Sequence, residues 1–219
     1  IGSTNTYAQR RRDADIPIDC WMNLGLRYWE SENVGDKEAW DELVKNKISE
    51  RVSRDWATGV RSKPKLRTYA VLKPELGEQP EAYLTGQKNR IGRYEITRLR
   101  TGCSQLRIDT GRRGPADSRL EVWERKCLVC FNGDVEDETH FMLHCAAYDH
   151  LRDQMWLDLK QIGISRDMCV QKGDKHTMNA LIGHGATWHT TEIVKVYVQR
   201  AVRYRRKFHD KYIDSRGEQ

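Results

Sequence analysis

Apolar residues recur at spacings of three and four along much of this chain, which predicts helices. In 190–213, TTEIVKVYVQRAVRYRRKFHDKYI, the positions Val194, Tyr197, Ala201, Tyr204 and Phe208 fall on one face. DKEAWDELVKNKISERVSRDW carries Trp40, Leu43, Val44, Ile48 and Val52 at the same spacings. Before it, IDCWMNLGLRYWES aligns Cys20, Leu24 and Tyr28, with Trp21 alongside. Residues 18–62 therefore read as helical, with Asp36 as an N-cap and Gly59 as a stop. Residues 85–102 read as a helix between Thr85 and Gly102, with Ile96, Leu99 and Cys103 inward. AAYDHLRDQMWLDLKQIG reads as a helix ending at Gly163.

Other stretches lack that period. Residues 1–17 read as a polar arm ending at Pro17, with a solvated RRR cluster. Three of the five prolines fall in 63–84, which reads as short elements joined by turns. Residues 164–189 show no clear pattern. No internal repeat is present. The expected fold is mainly α: bundle-like helical segments around a small knuckle with a short hairpin. Three regions are expected, namely 1–62 (arm and helical segment), 63–152 (a cysteine-rich region) and 153–219 (a helical segment with a basic last helix).

Composition narrows the class. The 219 residues are 38% hydrophobic and 32% charged, which suits an elongated helical protein or one that completes its core on a partner. Seven tryptophans argue against disorder. No stretch nears the ~18 apolar residues of a membrane span, and the first twenty residues lack a signal peptide's apolar core. The expectation is an intracellular protein, nuclear or cytoplasmic, without membrane contact. Ile1 as the first residue points to a piece of something larger.

The net charge of +6 is modest, but its distribution is uneven. Lys88, Arg90, Arg93, Arg98 and Arg100, then Arg107, Arg112 and Arg113, form one basic run. Arg203, Arg205, Arg206 and Lys207 form another on the last helix. Such runs suit phosphate backbones, with Tyr94 and Tyr204 placed to stack on bases. They also suit a solvated helix face.

The chemistry concentrates in CLVCFNGDVEDETHFMLHC, 127–145. Two cysteines two residues apart can turn both sulfurs onto one ion, and His140 and Cys145 supply the return half on what reads as the start of a helix. The pattern is C-x2-C-x9-H-x4-C. Thiolate and imidazole in this arrangement suit one tetrahedral Zn2+, with Cys127, Cys130, His140 and Cys145 as ligands. A disulfide is the weaker alternative in an intracellular chain. His144 competes with His140 but adjoins Cys145, which favours His140. Asn132-Gly133 signals a turn, and the acids of VEDE suit a first helical turn. Four protein ligands leave no place for water, so the metal is expected to be structural, not catalytic. Cys20, Cys103 and Cys169 read as isolated thiols.

KLRTY (65–69), TRLRTGCSQLRIDTGRR (97–113) and RKCLVCFNGDVEDETHFMLHCAAYDHLR (125–152) resemble the region downstream of the polymerase in non-LTR retrotransposon reverse transcriptases. The resemblance spans roughly residues 63–152. It implies the same four zinc ligands and a nucleic-acid-binding role, holding RNA or DNA template or target near the polymerase, in a retroelement protein or a host protein derived from one. The chain has no Tyr/Phe-x-Asp-Asp polymerase motif. The region after 153 shows only Asp167, Asp174 and Lys175 as a sparse acidic-basic cluster, too little for a two-metal nuclease. This segment is therefore expected to have no enzymatic activity. A module that docks on the upstream polymerase domain or on another protein is the alternative to direct nucleic-acid binding.

Overall fold

The computed structural model describes residues 37–77, 79–85 and 89–217, with side chains up to Phe208. It is mainly helical, and no strand occurs among the described residues. None of the described helices is long and apolar enough to cross a membrane. The chain divides into two compact units, residues 1–59 and 60–219.

In the first unit the described element is most of helix α1, Lys37–Arg61. Of its apolar stripe Trp40 is buried, while Ile48 and Val52 are exposed. Gly59 lies inside the helix and does not end it. The expected cap Asp36 and the stripe through Cys20, Trp21, Leu24 and Tyr28 lie outside the described residues, as does the arm.

The second unit holds eight further described helices: α2 (Arg67–Leu72), α3 (Ala82–Thr85), α4 (Arg90–Arg100), α5 (Arg107–Thr110), α6 (Asp149–Gln161), α7 (Arg166–Gln171), α8 (Asp174–Ile182) and α9 (Trp188–Gly217). One hydrophobic core joins residues from both sides of position 152, so the regions expected at 63–152 and 153–219 share an interior. The organising element is α9. Val194, Tyr197, Val198, Ala201 and Val202 are buried along it, and it packs across α4 and α6. The segment 164–189 forms α7 and α8, helices of six and nine residues split by Gly173 at φ 84°. Elements this short span two turns or so, too little for a period to emerge from the sequence.

Helix α4 starts later than expected. Thr85 closes α3, and Asn89 is the cap, its side chain accepting from the Gly92 amide at 2.9 Å. Gly102 follows α4 at φ 61°, a conformation glycine takes without strain. Inside α4, Gly92 is where the helix meets α9. A Cβ there would lie 2.5 Å from the Lys195 carbonyl oxygen. Alanine ordinarily favours a helix over glycine by about 1 kcal/mol. Here the collision dominates, and Gly92→Ala is expected to destabilise the protein by about 1–3 kcal/mol in a denaturant titration.

Candidate metal centre

The centre is built from two turns. In the first, Cys127 and Cys130 sit on a tight loop returned by one antiparallel bridge, Lys126 with Val135. The Cys127 amide donates to the Asp134 carbonyl at 2.8 Å, and the Glu136 amide to the Arg125 carbonyl at 2.9 Å. This is the short hairpin. The amides of Val129 and Cys130 point at the Cys127 sulfur, and that of Asn132 at Cys130. A loop of this form directs N–H dipoles onto the sulfurs and favours thiolate.

The second turn is π-helical, His140–His144, not the start of an α-helix. The difference explains the H-x4-C spacing. Residues five apart on an α-helix point about 140° from one another. A π turn bonds residue i to i+5, and here the Cys145 amide donates to the His140 carbonyl at 2.7 Å. Both side chains then reach the same point. The widened turn leaves carbonyls without helical partners, and buried side chains supply them. The Tyr197 hydroxyl donates to the Phe141 carbonyl at 2.9 Å. Arg152 donates to Met142 at 3.0 Å and to Cys145 at 2.8 Å.

The ligand atoms of Cys127, Cys130, His140 and Cys145 all lie within 4.8 Å of one another. The Cys127 and Cys145 sulfurs are 3.9 Å apart, and Cys130 Sγ lies 3.4 Å from His140 Nε2. A tetrahedral ion with metal–sulfur bonds of about 2.3 Å would set sulfur pairs about 3.8 Å apart and sulfur–nitrogen pairs about 3.6 Å apart. The four donors therefore fit one tetrahedral metal ion and leave no protein-free position. A disulfide is a poor fit, since S–S bonding needs about 2.05 Å. His140 Nδ1 faces the Asp134 carboxylate at 3.8 Å, which leaves Nε2 toward the ion.

Electrostatics describe four donors that share protons within one cluster, with Cys127 alone held toward thiolate. The Cys145 thiol hydrogen-bonds Cys127, with His140 and the loop amides assisting, and holds Cys127 at about 3 against the effect of burial. The same contact pushes Cys145 far up, with burial adding. Burial raises Cys130. The hydrogen bond with Cys127 raises His140. A cation in the centre would take over the role of those shared protons and release them.

His144 does not join the cluster. It is exposed, and its Nε2 lies 2.7 Å from Asp174 Oδ2. Cys103 and the buried Cys169 are free thiols elsewhere, and Cys20 lies outside the described residues.

The acids of the knuckle act differently from the expectation of a capped first turn. Only Asp137 caps, accepting from the His140 amide at 2.7 Å. Glu136 is fully buried and receives a bidentate pair from Arg205, at 2.7 and 2.8 Å, plus the Arg107 amide at 2.8 Å. Glu138 receives Arg67 at 2.6 and 2.8 Å, and Arg67 also reaches Asp109 at 3.3 Å. Burial raises the Glu138 carboxyl despite that partner. Asp109, fully buried, accepts from the Ser104 amide and hydroxyl at 3.0 and 2.6 Å. These charges clamp the knuckle to α9 and α2.

The basic candidates separate accordingly. Arg205 belongs to the clamp, not to a surface. Arg100 is also buried: it pairs with Glu81, donates to the Ile182 carbonyl at 2.8 Å and lies over the rings of Tyr69 and Tyr83 at 5.3 and 4.6 Å. Both residues are corrected from contact residues to interior ones. Arg98 is largely covered, donating to the Cys103 carbonyl at 2.9 Å and stacking over Tyr94 at 5.4 Å. Arg112 is half-buried, bonded to the Gly102 carbonyl and 3.3 Å from Asp109. Arg107 and Arg93 are half-buried, the latter donating to the Leu84 carbonyl at 3.2 Å. Arg206 is half-exposed and reaches Glu95 at 2.6 Å. Arg90, Arg113, Arg203 and Lys207 are exposed. Lys88 lies outside the described residues. No protein-family model, curated protein or solved structure matches the chain.

Proposed function

We propose that this chain is a zinc-stabilised nucleic-acid-binding region, of the kind found downstream of the polymerase in non-LTR retrotransposon reverse transcriptases, and that it positions RNA or DNA template or target. The observation that carries the reading is the convergence of four donors in one closed centre, while cations remain at the surface. Three sulfurs and one imidazole in a tetrahedron select Zn2+ over harder or square-planar ions. A shell without a position for water or substrate stabilises a fold and does not activate a nucleophile. Function then falls to the exposed cations Arg90, Arg113, Arg203 and Lys207, which suit phosphates.

The test is binding of labelled RNA and DNA by the zinc-loaded chain across a salt series. Affinity is expected to fall steeply with salt. Arg203→Gln with Lys207→Gln is expected to weaken binding about tenfold at low salt and to lower the salt slope by about two. Absent or salt-independent binding overturns the reading. Capture of the upstream polymerase domain by a chain without nucleic-acid affinity would establish the protein-docking alternative instead.

A further inference from the structure

Phe131, directly after the second cysteine of the knuckle, has a backbone φ of 56°. That left-handed conformation suits glycine and is an outlier for a bulky residue. The loop geometry around Cys130 imposes it, yet a phenylalanine occupies the place with 56% of its surface exposed. Its ring is held toward α9: Phe131 and Phe208 lie 6.2 Å apart. Phe208 stacks with Tyr204 at 6.3 Å, and Tyr204 meets His150 of α6 at 5.6 Å. Beneath them, buried Tyr148 supports Tyr204 edge-on at 5.9 Å. Phe131, Phe208, Tyr204 and His150 thus form a continuous aromatic row across three elements. Along its flank, Arg200, Arg203 and Lys207 lie within one turn of Tyr204 on α9, and all three are exposed. Among the described residues none of the three is in an ion pair.

We infer that this row is a stacking platform for unpaired nucleotides: bases lie on Phe131 and Tyr204 while the phosphates run along Arg200, Arg203 and Lys207. The inference rests on the nucleic-acid reading above and names the ligand as a single strand. Aromatic rings in file beside a row of cations match a strand that alternates π-faces and charge every nucleotide. A duplex buries the faces of its bases in the stack and offers the rings no π-surface, only base edges and phosphates. An apolar protein partner would use the rings but not the cations.

Phe131→Gly makes a clean test, because glycine accepts φ 56° and the knuckle keeps its backbone. The probes are a labelled oligothymidylate and oligouridylate of about twenty nucleotides and a DNA duplex of about the same length, added to the full zinc-loaded chain. Phe131→Gly and Tyr204→Leu are each expected to weaken single-strand binding about five- to a hundredfold. Duplex binding, zinc content and melting temperature of Phe131→Gly are expected to stay near wild type, and Phe131→Trp to retain single-strand affinity. Wild-type single-strand affinity in both variants overturns the platform. So does equal weakening of single strand and duplex, or full recovery by Phe131→Leu, which marks a contact that is apolar but not stacking. Wild-type protein that binds duplex but no single strand overturns the platform alone. Protein that binds none of the probes overturns the nucleic-acid reading and the platform with it.

Discussion

Cys145→Ser is expected to strip the chain of its metal and to lower its melting temperature by roughly 10–20 °C. Cys145 is fully buried at the meeting point of the hairpin loop and the π turn, and its sulfur faces Cys127 at 3.9 Å. A serine oxygen in that place is a poor zinc donor and leaves the thiolates without their cation. Structural zinc contributes several kcal/mol or more to small folds. In a unit of this size each kcal/mol is worth about 2–4 °C. A loss of about 5 kcal/mol therefore gives the stated shift. Metal analysis is expected to fall from about one zinc per chain to a small fraction, and Cys127→Ser is expected to behave alike. Cys103→Ser, outside the cluster, serves as the control and retains the metal. Unchanged melting and metal content in both Cys127→Ser and Cys145→Ser would refute the centre.

Arg205→Met is expected to cost about 3–5 kcal/mol, although α9 keeps its helix. Methionine fills much the same space, so the cost is electrostatic. Glu136 is fully buried and would lose its only charged partner among the described contacts. Removing one member of a buried pair costs far more than removing both. Adding Glu136→Met to Arg205→Met is therefore expected to recover most of the loss. A residue of about 1–2 kcal/mol is expected to remain, because the Arg107 amide also depends on Glu136 for its acceptor. The measurement is a denaturant double-mutant cycle. Additive losses in the double variant would show that Arg205 stabilises through packing and not through charge.

The four metal donors were legible because their spacing is a local property. Two short turns place them, and both turns lie within nineteen consecutive residues. The last helix was legible for a related reason: Val194, Tyr197 and Ala201 repeat over enough turns to define a face. The π turn was not read, although the H-x4-C spacing carried its signal: on an α-helix His140 and Cys145 would point about 140° apart. Its stability comes from Tyr197 and Arg152, which are remote in sequence or outside the motif. The charged residues misled most. Arg100 and Arg205 look like the other cations of their basic runs, and only the fold brings Glu81 and Glu136 to them. One signal was present. Glu136 and Glu138 alternate with Asp137 and Thr139, as in an extended segment with one side inward. Buried acids at both inward positions require buried cations elsewhere in the chain.

The clamp between Glu136 and Arg205 also sets an order of events during synthesis. The last of the four donors, Cys145, is made sixty residues before Arg205, although both belong to one compact unit. Until α9 exists the π turn lacks the Tyr197 hydroxyl that satisfies its Phe141 carbonyl, and Glu136 is still hydrated. Burial of that carboxylate must wait for the arginine that neutralises it. A chain that stops anywhere between 146 and 204 would thus carry all four donors and still lack a finished interior. The four donors and the partner of the buried Glu136 are thus made far apart in time, and the interior is completed only by the last helix.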